Sequence, residues 1–191
     1  METESINNRR AFLKKLSMFS VLCLAGNNEG FANLSHINMP NGMIIKANEG
    51  EVFYIGNDRK AKVMIKVSKS PEYDPSISLL SEIITPGDGI PIHKHLNEEE
   101  FLFVQKGEVE VTLGDNKGIG QSGDFIYVPK KTWHGFLNKT NEDVVMLFGY
   151  APSGFEDYFR KIGTKSIKQD LGFSADDWIR TNKKYGIVYK A

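Results

Sequence analysis

Two histidines one residue apart, His93 and His95, follow Pro91 at positions that only an extended chain can use for a common purpose. On a strand, residues i and i+2 point to the same face, so both imidazoles reach one point. On a helix they would lie roughly 200° apart, and Pro91 is in any case a poor helix-interior residue. Glu100 stands five positions beyond His95, an odd separation that a single continuous strand would send to the opposite face. The chain must therefore turn or bulge near Leu96 and Asn97, with Glu100 opening the next strand. His134 is far downstream and has to be delivered by the fold. Donors on separate strands that meet at one point describe a barrel interior. Histidine is the commonest metal ligand. Three imidazoles with a carboxylate suit Zn, Fe, Ni, Co, Mn or Cu rather than Mg or Ca. Glu98 or Glu99 would take the place of Glu100 if the register shifted.

The rest of the chain supports an all-β domain. Alternating or β-rich runs occupy residues 52–55, 61–67, 77–84, 100–105, 108–113, 124–128 and 144–150. Gly- and Asn-containing turns separate them, which is the pattern of a sandwich or barrel. In the run after Glu100, Leu102 and Val104 share its face. Phe101 and Phe103 point the other way and need a cover, which an aromatic C-terminal helix or a second copy of the chain, as a homodimer, would provide. Phe155, Tyr158, Phe159 and Ile162 recur at i, i+3, i+4 and i+7, so a short amphipathic helix is expected there, stopped by Gly163. A second helix is expected from Ser174 to about Lys184, opened by a capping-box-like Ser174 and Asp177.

With 24 basic and 24 acidic side chains the formal charge is zero, which gives no electrostatic footprint for nucleic acid. The N-terminus is a different kind of text. Asn8-Arg9-Arg10-Ala11-Phe12-Leu13-Lys14-Lys15 precedes an apolar run at residues 16–26, the order of an export signal. The Arg-Arg-x-Phe-Leu-Lys string resembles the twin-arginine signal, with Asn8 where Ser or Thr is common. This resemblance implies an exported periplasmic or extracellular protein with no stable membrane insertion after signal removal, cleaved after Ala25 or Ala32. The lone Cys23 lies in this segment, so disulfides and thiol catalysis are not expected of the mature chain. The organisation expected is a signal at 1–32, a β-barrel at 33–152 and a helical tail at 153–191 packed on the barrel.

The run Gly87-x5-His93-x-His95-x4-Glu100-x6-Gly107 resembles the first cupin motif at every defined position. Gly123-x5-Pro129-x4-His134-x3-Asn138 resembles the second, except that Lys131 stands where Gly is usual and leaves that loop's backbone open. The upstream strands and the tail are similar to monocupins of the quercetin-dioxygenase-like group. The resemblance implies a double-stranded β-helix, or jelly roll, with a short C-terminal helical extension. It implies His93, His95, Glu100 and His134 as ligands of a divalent transition metal. His36, the fourth histidine, lies outside both motifs. The activity implied is dioxygenation of a small phenolic or enol compound, with Glu100 as ligand or as general base. A non-oxidative isomerase or lyase, and a ligand-binding cupin without turnover, are the alternatives. Leu102, Val104, Phe125, Tyr127, Trp133, Phe136 and Phe148 flank the motifs, and whichever face inward would favour a flat apolar substrate. No basic cluster for a sugar phosphate is evident.

Overall fold

The computed structural model describes residues 42–190, apart from 56–60 and 72. The twin-arginine-like segment, Cys23 and His36 lie outside the described residues. Within them, the chain forms twelve strands and two short helices. The strands are β1 (Glu51–Ile55), β2 (Ala61–Val67), β3 (Ser78–Ile84), β4 (Gly89–His95), β5 (Glu99–Lys106), β6 (Glu108–Leu113), β7 (Asn116–Gln121), β8 (Phe125–Val128), β9 (His134–Leu137), β10 (Val144–Ala151), β11 (Gly163–Thr164) and β12 (Ile187–Tyr189). The helices are α1 (Glu156–Ile162) and α2 (Ala175–Tyr185).

Seven strands pair in the order β11-β1-β2-β3-β10-β5-β8, and five in the order β12-β4-β9-β6-β7. Every named pairing is antiparallel. Two antiparallel sheets facing each other across one core make the expected jelly roll. The period-2 pattern is plain in β3, where Ser78, Leu80, Glu82 and Ile84 are buried, and in β10, where Val144, Met146, Phe148 and Tyr150 are. Leu102 and Val104 of β5 join them, as their shared face with Glu100 requires.

Turn chemistry sets the strand ends. Gly107, between β5 and β6, and Gly123, before β8, have φ of 89° and 98°, a left-handed backbone that glycine adopts without strain. Lys131 occupies the position where Gly was expected and takes the glycine-like conformation anyway, with φ 65°. Its N–H donates to the His95 carbonyl at 2.7 Å, which ties this loop to the end of β4.

The C-terminal tail contributes more than helices. β11 pairs with β1, and β12 pairs with β4, setting Ile187 opposite His95 and Tyr189 opposite His93. α1 is seated by Glu156, a fully buried carboxylate that accepts the Lys69 N–H at 2.7 Å and the Gly154 N–H at 2.6 Å. Ser174 and Asp177 form the capping box of α2, and Gly186 ends it in the left-handed conformation.

The aromatic helix does not cover Phe101 and Phe103. Its Phe155 and Tyr158 are buried at the mouth of the barrel, where Phe155 packs edge-on to His95 at 4.4 Å between ring centroids. Phe103 stays 37% exposed, and Phe101 stacks on the exposed Phe125. No described helix is long and apolar enough to cross a membrane.

Candidate metal centre

Three strands deliver the four predicted donors to one point. β4 supplies His93 and His95 on its inward face, β5 opens with Glu99 so that Glu100 turns inward, and β9 begins at His134. The bend expected at Leu96 and Asn97 is present between β4 and β5. One potential ligand atom from each of His93, His95, Glu100 and His134 lies within 4.8 Å of the others. All four side chains are buried, with 3%, 2%, 4% and 0% of their surface exposed. Glu98 and Glu99 stay outside the cluster.

The hydrogen bonds orient the rings. His93 Nδ1 donates to the Pro91 carbonyl at 2.8 Å, and His134 Nδ1 donates to the Thr132 carbonyl at 2.9 Å. In a neutral imidazole this leaves Nε2 as a lone pair aimed inward. His93 Nε2 faces His95 Nε2 at 3.1 Å. Glu100 Oε2 lies 2.7 Å from His134 Nε2 and 3.4 Å from His95 Nε2. Lone pairs and a carboxylate oxygen at such distances repel unless a proton or a cation lies among them. Backbone carbonyls holding the outer nitrogens of metal-binding histidines are the usual supporting arrangement. The donor set therefore fits a transition-metal ion held by His93, His95, Glu100 and His134.

Without a cation, protons do that work. Burial, reinforced by the neighbouring His134, pushes His93 down from its ordinary 6.5 to about 3, so it is neutral. Burial alone would lower His134 as well, but its hydrogen bond to Glu100 raises it above 6.5. Burial would raise Glu100, and the hydrogen bonds from His134 and His95 overcome that and hold it well below the usual carboxylate range. Burial, reinforced by the nearby negative charge of Glu100, raises the phenol of Tyr150 on β10 well above its ordinary 10.

The cluster opens into a small cavity of about 60 Å³. Leu102, Phe136 and Phe148, three of the flanking residues picked out in the sequence, line it. Phe125 and Tyr127 instead face outward, 64% and 51% exposed, and Trp133 lies under the Lys94 ammonium. Sequence reasoning missed Glu82, Tyr150, Tyr158 and Tyr189, which also line the cavity. For Glu82 a signal existed, since it alternates with Leu80 and Ile84 on the buried face of β3. The tyrosines of the tail carried none, because nothing local shows where β12 will pair. Asn138 of the second motif serves the fold. Its buried amide donates to the Ile84 and Glu142 carbonyls and its oxygen accepts from Thr140.

Residues 80–150 match the family model described as the cupin domain. Over these residues the barrel resembles a cupin barrel. An uncharacterized protein of Methanocaldococcus jannaschii is 33% identical over 81 residues, 42% of this chain and 65% of that protein. A quercetin 2,3-dioxygenase of Bacillus subtilis is 27% identical over 111 residues, 58% of this chain but 31% of that protein. The chain spans less than two thirds of the length of either curated relative. Among solved structures, KdgF from Halomonas sp. superposes on this barrel with a TM-score of 0.52 at 18% identity, covering 61% of this chain and 98% of that one. At that identity the likeness speaks for the cupin fold alone.

Proposed function

We propose that this protein is a cupin and a metal-dependent enzyme, an oxidoreductase of the dioxygenase type acting on a small phenolic or enol compound. The observation that carries this reading is the convergence of three inward Nε2 atoms and one carboxylate at the wall of a mostly apolar cavity. His93, His95, Glu100 and His134 would hold the ion. A bound metal of this kind polarises a substrate oxygen and, when redox-active, allows chemistry with O₂. The chain's own residues do the rest. Glu100 is kept ionised beside its partners and is placed to accept the proton of an enol or phenol hydroxyl. Leu102, Phe136 and Phe148 exclude water from the reacting end. His134 and His95 hold the carboxylate in place.

The cavity also bounds the substrate. Ligand pockets for drug-sized molecules run to roughly 300–1,000 Å³, far above the space found here. A three-ring flavonol would require the C-terminal tail to withdraw, so an open-chain or single-ring enol is the better fit. The cavity lining contains no Lys or Arg, which speaks against a sugar-phosphate substrate. The same reading extends to assembly, with a homodimer formed through the uncovered Phe103, Phe125 and Tyr127 face.

Elemental analysis of the purified protein tests the centre. Near-stoichiometric Fe, Mn, Ni, Co or Cu that is lost in His93→Ala is the expected result, followed by oxygen uptake with small enols and catechols. Zn alone, with no oxygen uptake by any reconstituted form, would turn the reading to non-oxidative chemistry. Absence of metal after reconstitution would remove the enzymatic reading altogether.

A further inference from the structure

Two of the three clustered histidines have their outer nitrogens held by backbone carbonyls, and the third does not. Nδ1 of His93 and of His134 donates to Pro91 and Thr132. His95 turns Nε2 toward the centre, 3.1 Å from His93 Nε2 and 3.4 Å from Glu100 Oε2. When Nε2 offers its lone pair there, Nδ1 carries the ring proton. That nitrogen is buried, and among the described residues it has no hydrogen-bond partner. His95 as a whole is 2% exposed, so open solvent does not serve it. A buried N–H without an acceptor is costly to the fold.

Glu98 supplies the matching group. Its Oε2 is buried and likewise has no hydrogen-bond partner among the described residues. Glu98 stands two positions before Glu100, the spacing that returns a side chain to the same face of an extended chain. It therefore precedes Glu100 on the inward side, in the β4–β5 turn that His95 begins. That turn is pinned from two directions. The Leu96 N–H donates to the Gly186 carbonyl at 2.8 Å, and the His95 carbonyl accepts the Lys131 N–H at 2.7 Å. Burial raises the Glu98 carboxyl above its ordinary range, and of the charges that oppose the rise His95 comes ahead of Lys130. The backbone N–H groups of Asn97 and Glu98 also act on this carboxylate, and Oε2 is the oxygen they leave over. No direct bond joins His95 Nδ1 to Glu98 Oε2. A water between a donor and an acceptor so placed satisfies both.

We propose that Glu98 is a positioning residue of the metal centre, taking the Nδ1 proton of His95 into a hydrogen bond through a bridging water and so fixing the ring that offers Nε2 to the ion. A carboxylate behind a ligating imidazole sets the ring's orientation and strengthens it as a donor. Glu98 is then the counterpart, for His95, of the carbonyls that hold His93 and His134. This inference rests on the metal-centre reading above.

The test uses the full-length protein with Zn as a diamagnetic probe, labelled with ¹⁵N-histidine. Zn affinity is measured by competition with a chelating indicator, and the ring N–H protons are followed by NMR. The His95 signal is identified by its cross-relaxation with the Phe155 ring, which packs against it at 4.4 Å between centroids. Glu98→Ala should weaken Zn binding by roughly tenfold to a hundredfold. It should also shift the His95 Nδ1–H signal upfield or broaden it by solvent exchange, while the His93 and His134 signals stay in place. Glu98→Gln keeps an acceptor oxygen, so it should restore the His95 signal and most of the affinity. Glu99→Ala, on the other face of β5, should change neither. In Glu98→Ala, an affinity within about twofold of the wild type, or a His95 signal that does not move, would overturn the role of Glu98 and leave the metal centre standing. A wild-type protein that takes up no metal would overturn the centre, and this inference with it.

Discussion

At the residue scale, the opposed shifts of His93 and His134 make the metal-free protein sensitive to pH in a definite way. His93 is depressed to about 3, so between there and 6.5 the unfolded chain binds a proton that the folded one does not. Stability then rises with pH over that interval. His134 is raised above 6.5, so beyond that value the folded chain keeps a proton that the unfolded one has lost, and stability falls as pH passes through the raised value. Glu100, held below 4.5, adds a further loss in acid. Thermal unfolding of the metal-stripped protein should peak near pH 6.5 and decline on both sides. A flat profile would contradict the ion pair between His134 and Glu100. Metal loading should remove the decline on the alkaline side, because the ion takes the place of the His134 proton. Lys131 supplies a second residue-scale prediction. A left-handed backbone costs a non-glycine residue about 1–2 kcal/mol, partly offset by the greater chain entropy that glycine loses on folding. Lys131→Gly should therefore stabilise the protein by about 0.5–1 kcal/mol in urea unfolding, with unchanged metal content. The four donors were legible in the sequence because their spacing has a geometric meaning on strands. Glu82 was not singled out, although its alternation with Leu80 and Ile84 places it on the inward face of β3.

At the scale of elements, long alternating runs declared themselves and short or glycine-rich ones did not. β7 reads Asn116-Lys117-Gly118-Ile119-Gly120-Gln121, with one large apolar residue and two glycines, and it was not among the runs that the sequence marked as strands. Its strand character comes from pairing with β6, and a side chain at Gly120 would press on Ile126 and Val104 at 3.3 and 3.4 Å. β12 is three residues long and gains its meaning from β4, a partner some ninety residues earlier. The two helices were legible from their periodicity and caps, but the direction of their aromatic face was not. Phe155 and Tyr158 close the barrel mouth instead of covering Phe103, because the chain leaves β10 beside the cavity and Glu156 anchors the turn there. That anchor is testable. Glu156→Gln replaces one of two carboxylate oxygens by an amide that cannot accept the Lys69 or Gly154 N–H. Hydrogen bonds to a charged group are worth about 1.5–3 kcal/mol, so the loss in urea unfolding should be about 2 kcal/mol. A loss below about 0.5 kcal/mol would show that water replaces the anchor and that α1 is held by its aromatics alone.

For the whole molecule, the outer face of the seven-stranded sheet is the feature that the isolated chain leaves unresolved energetically. Phe125, Phe103 and Leu147 lie side by side across β8, β5 and β10, and Tyr127 and Phe101 form the adjacent row. Phe103, Phe125 and Tyr127 are each more than a third exposed. Contiguous apolar surface of this kind marks a contact site more often than scattered exposed side chains do. A second copy is the occupant that needs nothing beyond the chain itself, since the face can be self-complementary about a twofold axis. A stable pair buries about 800 Å² on each partner, which two rows of aromatics on adjacent strands can supply at the centre of such a contact. Sedimentation of the wild type at micromolar concentration should therefore give a dimer. Phe103→Glu combined with Phe125→Glu should give a folded monomer, because both side chains point away from the core and away from Glu100. Metal content in that variant should match the wild type, since the donors face the opposite side of the sheet. A wild type that sediments as a monomer would leave these aromatics for a different partner, and a double variant that loses its metal would mean that the outer face supports the centre through β5.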